Sequence, residues 1–339
     1  MKVYVLNTLC IGLDTMDLVR KRLPIQGVIG LSERDSSDSI SDYVYQSRFC
    51  KDRGLDFIEV STYGLTANSD RCALLELEID VLVVMGWQRL IPKWLIEHCK
   101  ICSIGSHGSP LGITKGRGRS PQNWALILGM DSFEISIFEI DAGVDSGRII
   151  DSRKFTYSPY DDIKTSYYKV SLLTSEMIAD ALMSPTFLKL DFDEQVHEDA
   201  EYFPQRTPSD GAIDWQCTNQ EISRFVRALT KPYPGAYTYA GKQQLRIWSA
   251  IPFDIDVLTK CIPGEVCKVF NNHDLLVKSG HGYVLIQDYE LSSGAPAISE
   301  GLKLESHSFS QQIKSIIKKH EAKHPEYPIA SEVKKYDES

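Results

Sequence analysis

The sequence predicts an α/β protein: a Rossmann-like, mostly parallel sheet flanked by helices, followed by a small OB-like β-barrel domain. The opening reads as strand, helix, strand, with apolar runs at 2–6 and 25–31 around a helical pattern near 14–23. The apolar, β-branched run Val81 to Met85 is typical of a central parallel strand. Several short strands separated by turns follow residue 240, and such a series is typical of a small barrel.

The length of 339 residues exceeds the usual size of a single core, so about two domains are expected. We assign residues 1–190 to the Rossmann-like domain, 191–205 to an acidic linker, 206–300 to the OB-like domain and 301–339 to a helical tail. The tail should contain a short helix at 309–320 and a solvated segment beyond it.

The remaining elements of the first domain are read from local patterns. A polar, acidic loop occupies 32–42, and a helix is expected near 40–54. Residues 164–183 have apolar positions at three- and four-residue spacing, which predicts an amphipathic helix. Further strands are expected at 57–60, 100–104, 133–140 and 148–156. In the second domain we expect a helix at 219–230 and strands at LRIW, GEVCKVF, LLVKSG and YVLIQDY.

Composition limits the classes of partner and compartment. The net charge of −9 and pI near 5.4 disfavour nonspecific nucleic-acid binding, which depends on Lys and Arg neutralising phosphates. The eight cysteines are scattered, and Cys99-x-x-Cys102 lacks the second pair that a metal site would need, so we expect buried thiols and no metal. No apolar stretch approaches the roughly 20 residues needed to cross a membrane, so a cytoplasmic location is expected. A homodimer is possible.

The candidate site lies in residues 103–150. His107 follows a predicted strand in a run of Gly, Ser and Pro, and Asp145 lies in the acidic turn 141–147 between two predicted strands. In open α/β sheets, ligands bind at the loops that follow the strands. Each residue alone also fits an ordinary surface turn, where short polar side chains bond the backbone. The glycines form no GxGxxG pattern, so no dinucleotide cofactor is expected.

The site residues resemble those of the folate-dependent formyltransferases, which include the methionyl-tRNA, glycinamide ribonucleotide and amino-sugar enzymes. The matching motifs are His107-Gly-Ser, Arg117-Gly-x-x-Pro121, Trp124-Ala and Asp141-x-Gly-x-Asp145-x-Gly147. After residue 206, Arg-x-Pro-x-Asp-Gly, Ile-Asp-Trp, Arg-Ala and Pro-Tyr-Pro-Gly-Ala resemble the family's C-terminal OB-like domain. That half looks closest to the transformylase part of the bifunctional enzyme acting on UDP-linked aminoarabinose. The resemblance covers roughly residues 80–300.

The resemblance implies roles for individual residues. His107 would polarise the formyl group of formyl-tetrahydrofolate, and Asp145 would orient and charge the imidazole ring. A positioned donor at the developing oxyanion is typically worth about 3 kcal/mol. The implied folate contacts, through backbone amides for the first four, are Gln88, Arg89, Leu90, Ile91 and Asp141. The implied substrate contacts are Ser109 and Arg117.

One position departs from the family pattern. The family reads Asn-x-His where this chain reads Gly105-Ser106-His107, and the loop to Arg117 is about two residues longer than the commonest form. The Asn supplies a second donor to the oxyanion, and Gly105 has no side chain. A backbone N–H at 105–107, the hydroxyl of Ser106 or Ser109, or Asn123 could replace it. Otherwise the chain is a formyl-folate hydrolase, uses a different acyl donor, or is a silent folate- or nucleotide-binding protein.

For the acceptor, we expect a nucleotide-linked amino sugar. The acidic balance and the acidic 32–42 loop would repel an RNA backbone. The N-terminus also reads Val-Leu-Asn-Thr-Leu-Cys-Ile-Gly, without the Phe-x-Gly-Thr-Pro-x-Phe-Ala opening of the tRNA enzymes. Methionyl-tRNA is the alternative acceptor.

Overall fold

The structure, a computed structural model, describes residues 1–33, 40, 42–185, 187, 192–255, 260–292 and 297–336. Its strands are β1 (Val3–Leu6), β2 (Gly27–Leu31), β3 (Asp56–Val60), β4 (Val81–Val84), β5 (Cys102–Ser109), β6 (Arg117–Gly118), β7 (Ser132–Glu139), β8 (Ile149–Thr156), β9 (Tyr202–Phe203), β10 (Ala236–Ala240), β11 (Gln243–Phe253), β12 (Val266–Val269), β13 (Leu275–Lys278) and β14 (Tyr283–Leu291). Its helices are α1 (Cys10–Val19), α2 (Ser47–Arg53), α3 (Asn68–Leu75), α4 (Lys93–His98), α5 (Pro121–Leu128), α6 (Ile163–Met183), α7 (Asn219–Leu229), α8 (Phe309–Lys323) and α9 (Ser331–Lys334).

The chain divides into two compact units. The first comprises Met1–Arg117, Phe133–Phe155 and Tyr167–Ala200, and the second comprises Gly118–Ser132, Thr156–Ser166 and Glu201–Ser339. The limits of domains, linker and tail given above remain predictions. In these units 118–132 and 156–166 belong to the second unit, the predicted linker is divided after Ala200, and the predicted tail is part of the second unit. One contact that holds α5 there is the hydrogen bond from Asn123 Nδ2 to the carbonyl oxygen of Ala228, at 2.7 Å.

The first unit is built on a seven-stranded sheet with the order β3-β2-β1-β4-β5-β7-β8. The pairs from β3 to β5 are parallel, and β5 pairs antiparallel with β7. Strands β1 and β4 are buried along their whole length, as expected for central parallel strands covered on both faces. The predicted mostly parallel sheet is therefore confirmed.

Helices cover both faces of this sheet. Val3 and Val5 of β1 join one apolar cluster with α1 and α6, whereas Tyr4 and Leu6 join a second cluster with α3 and α4. This alternation follows from the two-residue period of a strand. Each fully buried Val or Leu side chain contributes about 1.5–3 kcal/mol through its removal from water.

Several predicted elements have different limits. Helix α1 begins at Cys10, earlier than predicted, and α2 is shorter than the predicted helix at 40–54. Most of the acidic 32–42 loop, residues 34–39 and 41, lies outside the described residues. Strand β5 does not end at residue 104 but continues to Ser109, because it pairs with β7 over its second half. His107 therefore lies in a strand, and its predicted place in a loop was wrong.

The second unit contains a five-stranded antiparallel sheet with the order β10-β11-β14-β13-β12. Its helix α7 begins with a capping box, in which Thr218 and Glu221 bond each other's backbone N–H groups. In the described residues no strand pairing joins β10 to β12. The antiparallel C-terminal domain is confirmed, and closure into an OB-like barrel remains a prediction.

The chain beyond α8 is packed, so the predicted solvated tail was wrong. Ile329, Ala330 and Val333 are buried. The N–H of Ala330 donates to the carbonyl oxygen of Tyr202 at 3.0 Å, and the Tyr202 ring stacks on Tyr327 with centroids 4.3 Å apart. Apolar burial and backbone pairing together hold this segment in the second unit.

The state of the cysteines and the character of the helices can be compared with the expectations of buried thiols and of no membrane-spanning segment. All eight cysteines are free thiols, and burial raises the pKa of Cys50 to about 11. Cys50 is buried, the thiols at 99, 102, 217, 261 and 267 are partly buried, and Cys10 and Cys72 are exposed, so the expectation of buried thiols holds fully for Cys50 alone. Among the described residues, no helix combines the length and apolar character that a membrane span requires. The same residues contain no group of His, Cys, Asp and Glu suited to a metal ion.

Candidate active site

His107 lies where the central strands of the sheet end. The parallel pairing of β5 with β4 stops at Ile104, and from Gly105 onward β5 is paired with β7 alone. This extension carries His107, opposite Ser136, past the carboxyl end of β4. The position matches the edge at which open α/β sheets bind ligands.

Both ring nitrogens of His107 face oxygen atoms. Nδ1 lies 3.3 Å from a carboxylate oxygen of Asp145, and Nε2 lies 2.7 Å from the carbonyl oxygen of Gly116. A carbonyl oxygen only accepts hydrogen bonds, so Nε2 carries a proton, and Nδ1 can donate to the carboxylate only if it is protonated as well. The ring is thus held between a carboxylate at Nδ1 and a carbonyl oxygen at Nε2. The His107 side chain is 11% exposed and that of Asp145 is 23% exposed, so both remain reachable from solvent.

The turn that carries Asp145 is held by its own residues. Asp145 has a φ of 50°, in the left-handed region that Asp tolerates better than most residues. Asp141 Oδ1 accepts hydrogen bonds from the N–H of Gly143 and the hydroxyl of Ser146. A Cβ atom at Gly147 would lie 1.7 Å from the carbonyl oxygen of Glu139, so this position requires glycine. Asp141 thus caps the turn, and its folate contact remains a prediction.

The two predicted substrate contacts have internal partners. Arg117 is 3% exposed, and its Nη2 donates to Gln195 Oε1 at 2.7 Å and to His197 Nδ1 at 3.2 Å. Ser109 is fully buried, and its hydroxyl accepts from the N–H of Leu111 at 3.0 Å. Arg117 is adjacent to the Gly116 carbonyl and belongs to the site, whereas Ser109 serves the following turn. Their substrate contacts remain predictions.

Gln195 is a site residue that the sequence did not reveal. It lies in the stretch read as an acidic linker, which has no apolar period and no family motif. Its Nε2 donates to the carbonyl oxygens of Asp145 and Gly147, at 3.0 and 2.7 Å. A buried amide among charged neighbours gives no pattern in sequence, so only the structure locates it.

The loop after β4 carries four of the predicted folate contacts, which remain predictions. Leu90 is 62% exposed, and the Arg89 guanidinium lies 4.7 Å from the centre of the Tyr63 ring. In the described part of the chain, the backbone N–H groups of Arg89, Leu90 and Ile91 make no hydrogen bond. An exposed apolar side chain beside free backbone donors suits a flat heterocycle with polar edges. The N–H of Gln88 donates to the Tyr63 hydroxyl at 2.9 Å. This bond would have to break before the Gln88 N–H could donate to a folate.

Gly105, where the family resemblance predicts Asn, has close neighbours. A Cβ atom at Gly105 would lie 3.0 Å from Phe138 Cζ and 3.1 Å from Ile140 Cγ1. The side chains proposed as replacement donors are poorly placed. Ser106 projects from the opposite face of β5 to His107, because strand side chains alternate. Asn123 Nδ2 is bonded to the carbonyl oxygen of Ala228.

Comparison with known proteins places these features in a family context. The family model described as Formyl transferase matches residues 59–182, and that described as Formyl transferase, C-terminal domain matches residues 206–301. The methionyl-tRNA formyltransferase of Geobacter metallireducens is 31% identical over 217 residues, which are 64% of this chain and 67% of the relative.

Two solved structures share the fold. A variant of HypX from Aquifex aeolicus has a TM-score of 0.60 and 16% identity, over 85% of this chain and 45% of HypX. The N-formyltransferase from Helicobacter canadensis, solved with folinic acid and dTDP-3-aminofucose, has a TM-score of 0.58 and 16% identity. That match covers 85% of this chain and 99% of the other.

Proposed function

Because the chain belongs to the formyltransferase family and is a one-carbon transferase, we propose that it moves a formyl group from formyl-tetrahydrofolate to the amine of a nucleotide-linked amino sugar. One observation carries the chemical part of this proposal. The Nδ1 atom of His107 lies 3.3 Å from the Asp145 carboxylate, at the ligand-binding edge of the sheet. This is the arrangement of an acid–base group with its orienting anion.

His107 would act as the donor to the formyl oxygen. The folate supplies the formyl carbon when it is bound. The Nε2–H group, which donates to the Gly116 carbonyl, would share its hydrogen bond between that carbonyl and the oxygen that gains negative charge as the amine attacks. A donor fixed in advance stabilises this charge by about 3 kcal/mol.

Asp145 would orient the His107 ring and take part in proton transfer. Its carboxylate would hold the ring at Nδ1 and keep Nε2 directed at the formyl group. The attacking amine must be neutral and loses a proton, and the departing folate nitrogen regains one. Asp145 and His107 together can pass that proton between the two nitrogen atoms, a role worth about 10²–10⁴-fold in rate.

Charge supports the choice of acceptor. The chain has 46 Asp and Glu against 37 Lys and Arg, whereas tRNA binding depends on neutralising phosphates. The similarity in fold to the Helicobacter canadensis protein, which was solved with an amino-sugar nucleotide, supports this choice of acceptor.

Methionyl-tRNA is the second candidate acceptor. The observation that favours it is the 31% identity to the Geobacter metallireducens methionyl-tRNA formyltransferase, which exceeds the identity to the sugar enzyme. The two acceptors differ in their dependence on salt. Binding of tRNA weakens steeply as salt rises, while a single sugar nucleotide with two phosphates is affected less.

The test is a panel of acceptors offered to the purified protein with formyl-tetrahydrofolate. The panel contains UDP-, TDP- and GDP-linked amino sugars and charged methionyl-tRNA, and it follows tetrahydrofolate release and acceptor mass. We expect one amino-sugar nucleotide to gain a formyl group, with no product in the His107→Ala variant. Formylation of tRNA alone would replace the proposed acceptor, and folate release with every acceptor unchanged would indicate a hydrolase.

A further inference from the structure

We propose that Gln195 is a positioning residue, which holds both hydrogen-bond partners of His107 in place for formyl transfer. The inference rests on the proposed function and adds to it a residue from outside the family motifs. Its basis is a set of hydrogen bonds that joins the turn of Asp145 to the loop of Gly116. Both of these segments contact the His107 ring.

The Gln195 side chain uses its full hydrogen-bonding capacity. Its Nε2 donates to the carbonyl oxygens of Asp145 and Gly147, at 3.0 and 2.7 Å. Its Oε1 accepts from Arg117 Nη2 at 2.7 Å and from the Thr114 hydroxyl at 3.3 Å. A primary amide offers two protons and two acceptor sites, so all four are engaged. Because Gln195 is 6% exposed, water cannot readily replace these bonds.

These four bonds connect the two sides of the catalytic ring. On one side, the amide fixes the backbone of Asp145, whose carboxylate lies 3.3 Å from His107 Nδ1. On the other side, the Gln195 amide accepts hydrogen bonds from Thr114 and Arg117. Gly116 lies between these two residues, and its carbonyl oxygen lies 2.7 Å from His107 Nε2. A shift of the Gln195 amide would move both acceptors of the ring. Gln195 thus determines the orientation of the imidazole ring without contacting it.

The sheet holds Gln195 itself in place. Two residues earlier, Asp193 pairs with Ile149 at the start of β8, through backbone hydrogen bonds of 2.8 and 3.1 Å. The amide therefore reaches the site from a segment anchored to the sheet. Asp145 needs such support, because its φ of 50° is a conformation that persists only where the surroundings enforce it.

Two substitutions separate the roles of the amide. Gln195→Met keeps the length of the side chain and removes all four bonds. Gln195→Glu keeps an acceptor for Arg117 and Thr114 but loses both N–H donors to the Asp145 turn. The matched control is Val196→Ala, because Val196 is the next residue and its side chain is 58% exposed.

We expect kcat to fall about 100-fold in both Gln195 variants, because a misplacement of roughly 1 Å at the reacting centre has an effect of this size. The KM for the donor should change less than kcat, since all four hydrogen-bonding positions of the amide are engaged within the protein. The control should keep the wild-type kcat. Wild-type kcat in Gln195→Glu would overturn the proposal. So would a loss in both variants that is fully explained by the unfolded fraction, measured by circular dichroism.

A second readout does not depend on turnover. Long-range proton–nitrogen NMR correlations report the ring nitrogens of His107, assigned by their absence in His107→Ala. In both Gln195 variants we expect the Nε2 and Nδ1 signals to move, because the distances to Gly116 and Asp145 change. Ring signals identical to those of the wild type would overturn the proposal. If the wild type shows no formyl transfer, the proposed function fails, and this measurement alone decides the role of Gln195.

Discussion

A Cβ atom at Gly105 would lie 3.0 Å from Cζ of Phe138, the residue opposite it on strand β7. A side chain at this position, where the family resemblance predicts Asn, would therefore require Phe138 and Ile140 to shift by a few tenths of an ångström. Glycine fits these surroundings without such a shift.

We expect Gly105→Asn to lower activity and to destabilise the protein by about 1–2 kcal/mol, because an overpacked strand must shift. His107 lies two residues along the same strand, so this shift reaches the catalytic ring. Thermal unfolding and kcat together check the expectation. Pairing it with Phe138→Leu should recover stability, while Phe138→Leu alone serves as the control. A large gain in kcat from Gly105→Asn alone would instead indicate a decayed site.

The charge of Asp145 should matter more than its shape. Asp145→Asn keeps the size of the side chain but removes the anion that faces His107 Nδ1 at 3.3 Å. We expect kcat to fall about 100-fold or more, with a folded protein and a similar KM for the donor. Steady-state kinetics check this, with Asp52→Asn as a control on the exposed surface of α2. An unchanged kcat would remove Asp145 from the mechanism.

Acid stability should depend in part on Asp17. The hydrogen bond from Arg53, together with that from Arg20, lowers the pKa of the Asp17 carboxyl from 3.8 to about 2. A lowered folded-state pKa stabilises the fold above the unfolded value, and this contribution is lost as the pH falls from 3.8 towards 2. The side chain is 30% exposed, so we expect about 1 kcal/mol after solvent screening.

The measurement is urea unfolding of wild type and Asp17→Asn near pH 6 and near pH 2. The difference in free energy of unfolding should be about 1 kcal/mol at the higher pH and close to zero at the lower one. A constant difference at both pH values would show that the carboxylate charge is not responsible.

The C-terminal segment should contribute to stability. Val333 of α9 is fully buried, so Val333→Asp places a charge in an apolar environment without a partner. We expect a loss of about 3 kcal/mol in the free energy of unfolding. Chemical denaturation checks this, with Lys334→Ala as the exposed control on the same helix. Equal stability of both variants would mean that α9 does not pack in solution.

The sequence predicted the features that depend on local pattern. The buried runs of β1 and β4 identified the parallel sheet, since only central strands are apolar along their whole length. The spacing in α6 identified an amphipathic helix, and the structure forms it at Ile163–Met183. The family motifs located His107 and Asp145, which the structure brings to 3.3 Å from each other.

The features that the sequence did not reveal depend on distant contacts. Strand β5 passes its predicted end because β7 pairs with it, and no property of residues 105–109 alone shows this pairing. Gln195 lies 50 residues after Asp145 and has no motif around it. The tail beyond α8 is polar in sequence, and its few apolar residues acquire a role only through contact with Tyr202. Each of these depends on residues far apart in the chain.

The most direct test of the account follows a labelled formyl carbon. Wild type and His107→Ala would be given formyl-tetrahydrofolate labelled at that carbon, together with amino-sugar nucleotides, and the label would be located by NMR. The account expects the label on the amine of one sugar nucleotide in the wild type, and on the unreacted folate in His107→Ala. Label that remains on the folate in the wild type, or that appears only as formate, would contradict formyl transfer by this protein.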